Sequence, residues 1–133
     1  YAIMAREIAA TLQKVRQPFN INLMAQVGAL AALADDEYYE RTLRLTADGL
    51  NFLRQAVDKL GCKSYPSQTN FFLIDVLGDA DLLYHAMLAK GVIVRPMGAY
   101  GFTNFIRISV GTEEENKRFL GSLADCLIEL NYV

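Results

Sequence analysis

Two arginines, Arg95 and Arg107, stand in a stretch that carries no other charge, GVIVRPMGAYGFTNFIRISVGT from Gly91 to Thr112. A guanidinium is planar, permanently charged and fork-shaped, which suits it to a two-pronged grip on a carboxylate or phosphate. An arginine near a sheet edge can equally pair with one of the chain's own acids. The residues by themselves leave both readings open.

The elements that must hold these arginines can be read from the same stretch, as two strands joined by a glycine-rich loop with one arginine on each strand. Side chains alternate along a strand, so Ile106, Ile108 and Val110 share one face while Phe105, Arg107 and Ser109 share the other. Arg107 therefore points away from the core. Thr112 and Glu115 have the spacing of a capping box, which starts a helix directly after the arginine strand.

Other reactive residue types are sparse. Cys62 and Cys126 are the two thiols, without a CxxC pair or clustered histidines, so neither a disulfide framework nor a metal site is signalled. Buried free thiols in a reducing cytoplasm are expected. His85, the single histidine, follows Asp81 by four positions on a helical stretch and reads as a solvated surface residue rather than a catalytic one. Lys14, Lys59, Lys63, Lys90 and Lys117 all sit in helix-surface or loop contexts and read as solvated charges.

Composition narrows the class further. At 133 residues, 53% hydrophobic and 21% charged, the chain is long enough for one domain with a proper core. A formal charge of −2 leaves no basic surplus for a nucleic-acid backbone. The longest uncharged run, residues 17–34, has Pro18, Asn20, Asn22 and Gln26 near its start, and its apolar part is below the ~20 residues a membrane span needs. The chain opens on an apolar stretch, Tyr-Ala-Ile-Met-Ala, which suggests a piece of a longer protein.

Along the chain, Met4, Ile8, Leu12 and Val15 mark one face of an amphipathic helix that Pro18 stops. Asn22 offers the next cap, and the charge-free, alanine-rich run from Leu23 to Ala34 reads as a buried helix. Asp35 and Asp36 restart the chain. Leu43, Leu50, Leu53, Val57 and Leu60 mark a helix ending at Gly61, which at about 25 residues is on the order of 37 Å long. So long a helix should overhang a small domain.

Cys62–Tyr65 reads as a short strand, and Asn70–Asp75, apolar on both faces, as a mid-sheet strand. A helix from Ala80 to Lys90 follows, capped by Asp79 and closed by Gly91, and Phe119, Leu120, Leu123, Leu127 and Leu130 mark a last helix. The predicted fold is α+β: a small antiparallel or mixed sheet of three to four strands with helices on one face, preceded by a long helix.

Four motifs in order now carry a resemblance: Val15-Arg16-Gln17-Pro18-Phe19-Asn20, Pro66-Ser67-Gln68-Thr69-Asn70-Phe71, Gly91-Val92-Ile93-Val94-Arg95-Pro96, and Ile106-Arg107-Ile108-Ser109-Val110-Gly111-Thr112 followed by Glu115-Asn116. Together they resemble the C-terminal part of histidinol-phosphate aminotransferases and their relatives among pyridoxal-phosphate enzymes of the aspartate aminotransferase fold.

The resemblance implies that Arg107 grips the α-carboxylate or anionic end of the substrate and that Arg95 contacts a substrate phosphate. It further implies that residues 1–35 form an interdomain helical segment and residues 36–133 the C-terminal small domain. The Schiff-base lysine and the groups that hold pyridoxal phosphate would lie in a large domain upstream, with Tyr1-Ala2 closing the strand that follows the lysine motif. The whole enzyme would be a cytoplasmic homodimer in histidine biosynthesis, moving an amino group between an amino-acid phosphate and a 2-oxo acid. The fragment alone would be inactive, would hold no covalent cofactor and would self-associate through its first two helices. Enzymes for aromatic amino acids and a phosphothreonine decarboxylase share this small domain, so the substrate stays open. So does a stand-alone module that senses a small anion.

Overall fold

The computed structural model describes residues 2–133. Tyr1, on which part of the expected strand end at Tyr1-Ala2 falls, lies outside the described residues. The chain divides into two compact units, residues 1–39 and 40–133.

In the first unit, α1 spans Arg6–Val15 and α2 spans Leu23–Leu33. Between them Pro18 interrupts helical hydrogen bonding and Phe19 takes a left-handed φ of 56°. The link is tied by Arg16 Nη1, which donates to Asn20 Oδ1 at 2.9 Å. Asn22 caps α2 as its residue type implies, its side chain accepting from the Ala25 N–H at 2.8 Å.

One expectation fails here. The charge-free α2 was expected to be buried, yet none of its residues is, and Leu23, Met24 and Leu30 are 72%, 78% and 69% exposed. A helix that is apolar all round needs surfaces to pack against, and the short first unit does not supply them.

Helix α3, Asp36–Lys59, begins at the end of this unit with Asp36 and Glu37 in its first turn and Lys59 in its last, both matched to the helix dipole. Gly61, at φ 87°, follows it where a left-handed residue is required. The sequence stripe outruns the core: Leu53 and Val57 are buried and Leu50 and Leu60 partly so, whereas Leu43 is half exposed.

The second unit is built on four strands, β1 (Lys63–Ser64), β2 (Phe71–Asp75), β3 (Arg95–Met97) and β4 (Phe102–Ser109), with α4 (Ala80–Ala89) between β2 and β3 and α5 (Glu113–Glu129) last. The spatial order is β1-β2-β4-β3 and every pairing is antiparallel. Strand β2 is thus interior, as its two apolar faces implied, and β4 inserts between the strands that α4 connects, a split βαβ arrangement.

Phe72, Ile74, Ile106 and Ile108 project from β2 and β4 into a core completed by Leu53 and Val57 of α3, Leu83 and Met87 of α4, and Phe119, Leu123 and Leu127 of α5. Three helices therefore cover one face of an antiparallel sheet, the α+β layout expected. Gly49 allows α3 to come close to the end of β4, since a Cβ there would overlap Val110. Among the described residues no helix is long and apolar enough to cross a membrane.

Candidate functional site

Strand β4 alternates as read: Ile106 and Ile108 are buried on the helix side, and Phe105, Arg107 and Ser109 occupy the opposite face. The connection from β3 is a single 3-10 turn, Gly98–Tyr100, closed by Gly101 at φ 83°. This short hairpin sets Arg95 directly opposite Arg107. Directly paired residues share a face of the sheet, so two permanent positive charges stand side by side on its uncovered face.

Neither guanidinium makes an ion pair with a carboxylate among the described residues. The guanidinium carbon of Arg107 lies 4.8 Å from the centre of the Phe71 ring, and Arg95 Nη2 reaches the Tyr100 hydroxyl at 3.4 Å, a weak contact. Like charges directly opposed on a sheet destabilise it. This half-buried Arg107 and exposed Arg95 lack the internal acid that would offset that repulsion.

Both arginines line an open depression between residues 91–96 and the end of β4, whose wall also includes Tyr84, Glu115, Arg118 and Phe119. Arg118 Nη2 approaches the Lys90 carbonyl at 3.5 Å. It adds a third positive charge to the rim.

The turn from β4 into α5 is locked twice. Thr112 and Glu115 form the expected capping box, with Glu115 Oε2 accepting from the Thr112 N–H at 2.7 Å and from its hydroxyl at 2.9 Å. Those bonds, from the backbone first and then the hydroxyl, hold the Glu115 carboxyl below its usual range. The stabilisation from this cap is fully present above the ordinary carboxylate range and is lost as pH falls through the depressed folded value.

Asn116 supplies the second lock. It is buried, and its side chain both accepts from the Gly111 N–H at 3.0 Å and donates to the Gly111 carbonyl at 3.1 Å. Asn116→Ala would leave both backbone groups unpaired in a partly buried site, so a loss of roughly 2–4 kcal/mol in urea unfolding is expected. An unchanged midpoint would show that water replaces the side chain.

Elsewhere the structure follows the residue types. His85 is exposed and lies against Tyr84, with ring centres 5.0 Å apart. Both cysteines are free and buried, and burial, then Asp75 and Asp58, pushes the Cys62 thiol up to about 11, which disfavours its reactive thiolate. Lys90 pairs with Glu129 and Lys117 with Glu113 at the surface, while Lys63 lies over the Tyr65 ring. Among the described residues no group of three potential metal ligands converges. Phe71, Tyr100 and Arg118 escaped the reading of the sequence because their relation to the arginines depends on strand register and helix placement.

Comparison with known proteins shows the family. The family profile described as aminotransferase class I and II matches residues 1–123. The chain belongs to this family. Within it, the histidinol-phosphate aminotransferase of Desulfotalea psychrophila is 59% identical over 133 residues, which are 100% of this chain and 35% of that protein. The solved histidinol-phosphate aminotransferase of Clostridium acetobutylicum superposes with a TM-score of 0.80 at 26% identity, covering 95% of this chain and 39% of that one. The Sinorhizobium meliloti aminotransferase of the same name, solved in complex with pyridoxal-5'-phosphate, gives 0.79 at 25% identity over 93% of this chain and 35% of that one. The chain spans about a third of the length of the curated relatives it matches.

Proposed function

We propose that residues 1–133 are the substrate-gripping C-terminal portion of a pyridoxal-phosphate-dependent histidinol-phosphate aminotransferase. The observation that carries this reading is the cross-strand pair Arg95 and Arg107, two cations on one face without an acid of their own. An anionic substrate would offset the repulsion between them, with Arg107 gripping through two parallel hydrogen bonds and Arg95 contacting a phosphate. The relatives' names support the substrate class.

In this proposal the chain's own residues bind and orient the substrate. Two groups fixed on paired strands hold an anion in one orientation, the part of catalysis that comes from positioning. The cofactor, when bound, supplies the electron sink for amino transfer. No lysine lines the depression that holds the arginines, so these residues do not by themselves make a site for an aldehyde cofactor. The Schiff-base lysine belongs, on this reading, to the part of the longer protein outside residues 1–133.

Residues 1–35 then serve as the interdomain segment and residues 36–133 as the small domain of a dimeric enzyme. The apolar surface of α1 and α2, including Ile8, Leu12, Met24, Val27 and Leu30, is the area the remainder of the enzyme would cover. In the isolated chain that surface is expected to drive self-association, giving a sizing mass above 14.8 kDa.

The test compares this chain with one extended to the full length of its relatives. Mixed with pyridoxal phosphate, the isolated chain should show neither the absorbance of a lysine adduct nor turnover of histidinol phosphate with 2-oxoglutarate. The extended chain should show both. Activity of the isolated chain, or an extended chain that ignores histidinol phosphate, would refute the assignment.

A further inference from the structure

We propose that Phe71 is a positioning residue for Arg107, orienting its guanidinium for an incoming anion; this rests on the reading of Arg107 as a substrate anchor. Phe71 opens β2 and pairs with Ser109, while Arg107 pairs with Leu73, so the phenyl ring and the guanidinium are diagonal neighbours on the same face of the sheet. The 4.8 Å between the ring centre and the guanidinium carbon lies within cation–π range.

Three features make this contact more than packing. Among the described residues Arg107 has no carboxylate to fix its orientation, and Arg95 opposite it repels. An aromatic face attracts a cation without neutralising it, so the ring restrains the side chain while its positive charge stays available. A ring has no carboxylate oxygens to take up the guanidinium N–H donors that a two-pronged grip on an anion uses. A carboxylate in the place of Phe71 would fix Arg107 equally well and would also occupy those donors.

The backbone that carries the ring is itself held, by pairing with the end of β4. Thr69 Oγ1 donates to the Phe71 carbonyl at 3.1 Å, and Ser67 and Thr69 share a hydrogen bond just before it. The polar Ser67-Gln68-Thr69-Asn70 link thus ends in a strand start that is tied down before the ring is reached.

The experiment uses the 133-residue chain and its Phe71→Leu and Phe71→Tyr variants, followed by nitrogen NMR of the Arg107 guanidinium with and without inorganic phosphate. Leucine keeps apolar bulk without an aromatic face, and tyrosine keeps the face. In Phe71→Leu, rotation of the guanidinium is expected to quicken and phosphate affinity at low salt to fall about five- to tenfold, with Phe71→Tyr close to the parent in both. The backbone spectrum reports whether each variant is folded, and should Phe71→Leu unfold, Phe71→Met replaces it.

Rotation unchanged in a folded non-aromatic variant overturns the positioning role, whatever phosphate does. A parent chain whose Arg107 signal ignores phosphate counts instead against the anion-anchor reading, and the rotation measurement still decides the role of Phe71.

Discussion

Arg107→Gln in the full-length protein is expected to lower kcat/KM for a phosphorylated amino substrate by about 10²- to 10⁴-fold. Glutamine retains polarity but is shorter, carries no charge and has only one donor group. Two charge-assisted hydrogen bonds at about 1.5–3 kcal/mol each are lost or weakened, and each 1.4 kcal/mol is about tenfold. Arg107→Lys should recover only part of the loss, because an ammonium is a point charge and cannot present two parallel donors.

Arg107→Gln should change stability little, because relief of the repulsion from Arg95 offsets the lost contact with Phe71. It removes one of two like charges opposed across β3 and β4, and it breaks no ion pair among the described residues. Steady-state kinetics together with thermal unfolding separates the effects. A drop in kcat/KM of less than about threefold would remove Arg107 from the site, and a large loss of stability would make it a structural residue instead.

Phe72→Ala should have the largest effect on folding. Phe72 is 1% exposed in mid-sheet, paired with Ile108 and facing the core filled by α3, α4 and α5. Its removal costs about 3–5 kcal/mol in lost transfer energy and residual cavity. With a urea slope of about 1–1.5 kcal/mol per molar, the midpoint should fall by roughly 2–5 M, enough to unfold a domain of ordinary stability.

Its neighbour supplies the control. Phe71 has the same side chain one position earlier but lies on the uncovered face, half-buried beside Arg107. Phe71→Ala should cost clearly less stability than Phe72→Ala. Equal losses for the two would mean that the uncovered face of the sheet is as tightly packed as the core.

The contrast between these two phenylalanines shows where local pattern suffices. Alternation along a strand, the caps at Asn22, Asp79 and Thr112, and the stop at Pro18 act over a few residues, and the structure places each where its residue type implies. The four motifs reached the right family because they are short runs of sequence, as the match over residues 1–123 confirms. Burial of α2 was misjudged because apolar composition states a need for contact and does not supply the contacting surface.

From its residues alone this chain determined an α+β fold, an interior β2 and an Arg107 turned from the core, since each follows from periods of two or 3.6 residues. Tertiary structure alone decided that Arg95 faces Arg107 and that Phe71 lies against it. Those placements depend on strand register, set here by a one-turn hairpin with an irregularity between Pro96 and Met97. A slip of one residue would send either arginine to the opposite face, and nothing in the local pattern near Arg95 forbids it.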